Sequence, residues 1–203
     1  MTSDAFAKFQ KSIRDYGWYQ YREGDGYDLE ALRNITPSEA EQVIDQMEAS
    51  TSPDWVAVEV LETIGTERCI KTLEKWTRTQ GVICRMSSLS ALHKRKMVDD
   101  INAEEIILKA LSEATIINGM TRVLAWAKKV PTTKIKKKVL WCALHGHEDI
   151  RAHCAALAHY LYGVTKEEFE MNKRSFYFQF NDIKTVKSAY HQLCIDVGDV
   201  GSD

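Results

Sequence analysis

Three observations predict an all-α fold for this chain, a right-handed solenoid of stacked helical hairpins. The first is residues 146–163, GHEDIRAHCAALAHYLYG. Glu148 and Asp149 stand where a helix begins, facing the positive end of its dipole. Ile150, Cys154, Leu157, Ala158 and Leu161 follow at helical spacing on one face. Gly163 suits the left-handed residue that ends a helix. Ala152, Ala155, Ala156 and Ala158 leave room for a second helix to approach closely. The second observation is recurrence. Leu61, Leu89, Leu124 and Leu157 lie 28, 35 and 33 residues apart, each with an apolar residue three positions on. Two-helix repeats have periods of roughly 30 to 47 residues. The third is the near absence of alternating, strand-like runs.

Taken in order, Ser3 caps a helix to about residue 16, with Phe6, Phe9 and Ile13 on one stripe. Residues 16–28 combine three glycines, five aromatics and several acids, and read as a loop. A short helix spans 29–35. Thr36-Pro37 with Glu39 makes a capping box for a helix to residue 49, with Ala40, Val43, Ile44 and Met47 inward. Residues 53–64 and 67–77 form a hairpin joined at Gly65-Thr66, and Ile70, Leu73 and Trp76 make its second buried stripe.

Further helices are expected over 82–95, 102–111, 118–130, 133–145 and 148–162. Residues 172–180, NKRSFYFQF, fit a strand or a short helix, and so brief a run leaves both open. A last helix is expected over 182–197, with Ile183, Val186, Tyr190, Leu193 and Cys194 inward and Gly198 as its stop. The expected organisation is one domain over 1–198 and a disordered tail over 199–203. Phe6, Phe9, Leu61, Ile64, Leu73, Leu89, Leu92, Leu124, Leu140, Leu157 and Leu161 are the expected core.

A content of 44% hydrophobic and 28% charged residues places the chain among globular proteins. No stretch approaches the ~20 consecutive apolar residues of a membrane helix. The first residues lack the basic-then-apolar order of a signal peptide. Cys69, Cys84, Cys142, Cys154 and Cys194 are odd in number and scattered, as buried thiols of a reducing compartment would be. A cytoplasmic location follows as the expectation. Charge is uneven: residues 1–60 hold 5 Lys/Arg against 12 Asp/Glu, and residues 61–145 hold 16 against 8. Partners of opposite sign would therefore approach different parts of the chain.

The run from Asp54-Trp55 to Gly65-Thr66, followed by the Ile70/Leu73 helix, resembles a HEAT-like repeat of the degenerate bacterial kind. The resemblance covers roughly residues 53–163, judged by that repeat length. The stretch from Asp149-Ile150-Arg151 through the Phe-rich segment to residues 193–198, LCIDVG, is similar to bacterial HEAT-repeat proteins, some of them immunity partners of secreted toxins. What the resemblance implies is a scaffold, and a scaffold alone does not determine function.

The residues that could carry chemistry are histidines, cysteines and short catalytic motifs. His145, His147, His153 and His159 cluster in sequence, but His153 and His159 are six apart and point to different faces, so no metal site is expected. The single His147-Glu148 pair resembles one unit of the HEAT-repeat iron hydroxylase, which repeats that pair on several hairpins. Capping and surface roles are expected for these histidines instead. Cys142 and Cys154 sit on apolar stripes, where thiols are inert. No nucleophile elbow, zinc helix or phosphate loop is present. The expectation is a non-enzymatic protein with no cofactor.

Two binding surfaces remain. Trp18, Tyr19, Tyr21, Glu23, Asp25, Tyr27 and Asp28 combine interface-prone aromatics with acids, which suits a protein partner such as a cognate toxin. Lys128, Lys129, Lys134, Lys136, Lys137 and Lys138 suit the alternative, a nucleic-acid-binding protein like the HEAT-like DNA-repair enzymes. Against that alternative stand a pI of about 6.3 and the scarcity of arginine in the run.

Overall fold

The structure, a computed structural model, describes residues 2–199, and its regular elements are all helical. Among them are thirteen α-helices, two 3-10 turns and no strand. Residues 200–203 of the expected tail lie outside the described residues. Where the sequence reads as one domain over 1–198, contacts gather into two compact units that divide between Met97 and Val98.

The first unit contains α1 (Asp4–Asp15), α2 (Trp18–Glu23), α3 (Leu29–Leu32), α4 (Pro37–Glu48), α5 (Trp55–Ile64), α6 (Glu67–Thr79) and α7 (Val82–Lys94). Ser3 caps α1 through its Oγ, which accepts from Phe6 N. The capping box at Thr36 and Glu39 starts α4, with Pro37 in its first turn. The Glu39 carboxylate does more than the sequence pattern asks. It accepts from Thr36 N and Oγ1, both at 2.9 Å, and also from Ser3 N at 2.7 Å and Ser3 Oγ at 2.8 Å. One buried carboxylate thus joins the starts of α1 and α4. These donors, Ser3 N–H foremost, hold its pKa at about 2.

Helix α5 turns into α6 through Gly65, at φ +69°, where a side chain would be strained. Helices α5, α6 and α7 pack on one another around Val56, Val60, Leu61, Leu73, Trp76, Leu89 and Leu92. Arg68 of α6 ties back to α4 through Glu41, Asp45 and Glu48, at 2.8, 2.7 and 2.5 Å.

The second unit contains α8 (Asp100–Glu113), α9 (Met120–Lys129), α10 (Thr133–His145), α11 (Glu148–Leu161), α12 (Arg174–Phe178) and α13 (Val186–Val197). Helix α10 packs against both α8 and α11. The small residues expected at the α11 contact, Ala152, Ala155, Ala156 and Ala158, are all buried. At the α10–α11 corner a Cβ on Gly146 would lie 2.5 Å from the Cys142 carbonyl oxygen, so only glycine fits.

Residues 172–180 resolve as helix: a 3-10 turn at Met171–Lys173, then α12, then a 3-10 turn at Gln179–Asn181. The buried face of this stretch is Tyr177 and Phe180. Helix α13 begins four residues later than expected. Asp182 Oδ1 accepts from Lys184 N, and Thr185 Oγ1 donates to Gln179 O, so a turn competes with the helix. Ile183, expected inward, sits on that turn exposed to water. Of the expected core, Phe6, Ile64 and Leu124 are half-buried and the other eight residues are buried. Cys69, Cys84, Cys142 and Cys154 are buried and Cys194 is half-buried. No described helix is long and apolar enough to cross a membrane.

Candidate partner-binding surface

The aromatic segment of the first unit is a built turn rather than the loop its glycines suggested. Gly17 N–H donates to Gln20 Oε1 at 3.1 Å and starts α2, and Gly24, at φ +79°, stops it. The turn sorts its side chains. Trp18 and Tyr19 stand outward, 75% and 64% exposed. Leaving two such rings in water forgoes roughly 1.5–3 kcal/mol of burial each. Tyr21 is half-buried beneath Trp18, the rings stacked at 5.8 Å, and leans on Trp55 of α5. Trp18 is therefore held from below rather than left to wander.

The acids divide as well. Glu23 and Asp25 are exposed. Glu23 pairs with Arg22 at 2.8 Å, and the Arg22 guanidinium lies over the Tyr19 ring at 5.6 Å. Asp28 and Tyr27 serve the fold instead. Asp28 caps α3 by accepting from Ala31 N at 2.8 Å and pairs with Lys8 at 3.1 Å. The Ala31 N–H and Lys8 hold its carboxyl below the usual range. Tyr27 packs its ring edge-on to Phe9 and Tyr16, and burial raises its hydroxyl pKa. The exposed surface is thus Trp18, Tyr19, Glu23 and Asp25, with Tyr21 as its support.

The six lysines of the second unit do not form one ridge. On α10, Lys134, Lys137 and Lys138 share a face, while Lys136 projects almost opposite to Lys134 at 100° per residue. Lys134 pairs with Glu104 at 2.9 Å, and Lys128 pairs with Glu168. Lys129, Lys136 and Lys138 lie over the rings of Trp126, Tyr162 and Trp141, respectively. Two of the six cations are neutralised by carboxylates, and the rest spread over several directions. A groove of about 570 Å³ beside α6 offers no better site. Its charged walls pair with each other, Arg68 with Glu48 and Lys71 with Glu67.

The histidines are placed as caps and packing groups, with one correction. His147 caps α11 by accepting from Asp149 N, His145 stacks on Trp141, and His153 is half-buried against Phe169. His159, expected at the surface, is fully buried. Its Nδ1 lies 3.2 Å from the Tyr177 hydroxyl and its Nε2 lies 3.2 Å from Asp196 Oδ2. Nδ1 is thus within hydrogen-bond reach of the Tyr177 hydroxyl, while Nε2 faces the Asp196 carboxylate at ion-pair distance without hydrogen-bond geometry. Phe176 stacks on the ring at 5.5 Å. The available sequence signal was His159 following the apolar run of α11 in a helix whose other faces also bury. Among the described residues, no three of His, Cys, Asp or Glu are grouped to hold a metal ion.

Comparison with protein-family models, with curated proteins and with solved structures finds no match for this chain. The reading of its surfaces therefore rests on their geometry.

Proposed function

We propose that this chain is a non-enzymatic protein-binding scaffold of the HEAT-like kind, a bacterial immunity protein that binds and neutralises a cognate toxin. One observation supports the reading above the others: Trp18 and Tyr19 stand exposed on a glycine-bounded turn braced by Tyr21 and Trp55, beside Glu23 and Asp25. Rigid aromatics lose little conformational entropy on binding, and tryptophan and tyrosine dominate interface hot spots. Carboxylates beside them favour capture of a cationic partner by steering that salt weakens. Within each unit, helices pack on their next and next-but-one neighbours, such as α5 on α6 and α7, and α10 on α8. Stacked hairpins, the solenoid arrangement, produce that pattern.

The test is co-expression with toxins encoded beside the gene, followed by titration of the purified pair. Trp18→Ala and Tyr19→Ala should each weaken toxin binding by about 2 kcal/mol, roughly thirtyfold, as hot-spot truncations do. Glu23→Lys with Asp25→Lys should slow association, more so at low salt. Recovery of duplex DNA or RNA with no protein partner from the native cell, with binding lost on Lys137→Glu and Lys138→Glu, would replace this reading by the nucleic-acid one.

A further inference from the structure

The second unit carries an exposed surface that mirrors the first in charge. Along residues 171–187, one face is buried through Tyr177 and Phe180. The same stretch leaves Met171, Phe178 and Ile183 in water, at 65%, 47% and 83% exposure. Arg174 N–H donates to Met171 O, and the Arg174 guanidinium covers the Phe178 ring at 4.8 Å. Asp182 N–H then donates to Gln179 O, which places Ile183 on the turn just beyond Phe178. His159, through Tyr177, pins the buried side of this stretch to α11, so the exposed side is presented on a fixed base.

The charges are complementary between the units. Residues 171–187 hold four cations, Lys173, Arg174, Lys184 and Lys187, against the single carboxylate of Asp182. Residues 15–28 hold four carboxylates, Asp15, Glu23, Asp25 and Asp28, against the single cation of Arg22; Arg22 pairs with Glu23 and Lys8 with Asp28, so Asp15 and Asp25 carry the surplus negative charge. Each stretch also exposes large apolar side chains, Trp18 and Tyr19 on one and Met171, Phe178 and Ile183 on the other. Aromatic rings beside acids suit Lys and Arg beside aliphatic anchors, by charge, cation–π contact and apolar burial together.

We propose that the surface over residues 171–187 docks the acidic aromatic turn of a second copy of this chain. The contact is heterologous, one patch meeting a different patch, and it closes as a dimer only if both contacts form at once. It uses the turn assigned above to the toxin, so a second copy and a toxin exclude one another. Self-association through this contact holds the aromatic turn covered until a tighter partner takes it.

The test needs only the purified protein, so its result is separate from the existence of a toxin. Sedimentation velocity over micromolar to submillimolar concentrations should show reversible association that weakens as salt rises. Glu23→Lys with Asp25→Lys, or Lys184→Glu with Lys187→Glu, should each raise the dissociation constant about tenfold, since reversal turns attraction into repulsion. An equimolar mixture of the two doubly substituted proteins should associate again, because each supplies the patch the other needs. Ile183→Ser, on an exposed turn that leaves folding intact, should also weaken the contact. A monomer at every concentration at low salt overturns the proposal, and the surface then belongs to a foreign acidic partner. Association indifferent to both charge reversals, or a mixture no better associated than its components, overturns it equally.

Discussion

His159 makes the stability of the second unit depend on pH in a direction its surroundings dictate. Burial lowers its pKa first, and the positive charge of Lys173 lowers it further, while Asp196 and Glu170 pull it upward without reversing the shift. A histidine depressed in the folded state stays neutral there while the unfolded chain takes up a proton near pH 6.5. Stability is therefore whole above about pH 6.5 and is lost as pH falls toward the folded value. The slope reaches at most about 1.4 kcal/mol per pH unit, one proton's worth. Between about pH 7.5 and about pH 5.5, His159 should therefore cost the unit stability, within that slope. His159→Gln loses the Phe176 stack and disturbs the buried hydrogen bond to Tyr177, about 1–3 kcal/mol at neutral pH. It should also flatten the dependence. Lys173→Met should flatten it partly, by removing the opposing charge. Urea unfolding at the two pH values, for wild type and variants, measures both effects. If His159→Gln shows the same loss between them as wild type, the buried neutral imidazole is not the titrating group and the reasoning fails.

Glu39 should act in the same sense in the first unit, over a lower pH range. Its pKa of about 2 means the stability it contributes is present above its usual value near 4.5 and is lost as pH falls through about 2. Glu39→Gln should free the α1 start from α4, read as faster amide exchange over α1 at neutral pH; unchanged exchange would argue against the double cap. Gly65→Ala should destabilise the α5–α6 corner by about 1–2 kcal/mol through its left-handed backbone, with the new Cβ 2.8 Å from Arg95 Nη2. Denaturant unfolding of that variant with an unshifted midpoint would mean the corner relaxes freely.

How much of the molecule could be read beforehand depends on how local its causes are. Caps and turns act within a few residues, so Ser3, Thr36-Pro37 with Glu39, and Gly65 were legible in order along the chain. Helical apolar spacing marked the buried stripes of α6 and α11, since a helix shows its inward face as a period. The aromatic content of residues 16–28 was visible, and so was its promise as a surface. Which of those rings would face water was not. Tyr27 and Trp18 are the same kind of residue in sequence. Phe9 and Tyr16 happen to lie against the first, while Tyr21 lies beneath the second and leaves it 75% exposed.

Distance along the chain set the other limits. Glu39 was readable as a cap for its own helix, but its bonds to Ser3 cross 36 residues. The lysines of residues 128–138 looked like one ridge because they are neighbours in sequence. Helical rotation turned Lys136 away, and Glu104 and Glu168 arrived from elsewhere to neutralise two of the others. Residues 172–180 were balanced between strand and helix by propensity. Burial of Tyr177 and Phe180 on one side decided for helix, and the same choice put Phe178 and Arg174 outward. The sequence by itself determined that this chain is helical and where most helices begin and end, because capping and periodicity are local forces. Tertiary structure alone decided which charges stay unpaired and which apolar side chains meet water, because those are settled by whatever distant segment packs alongside.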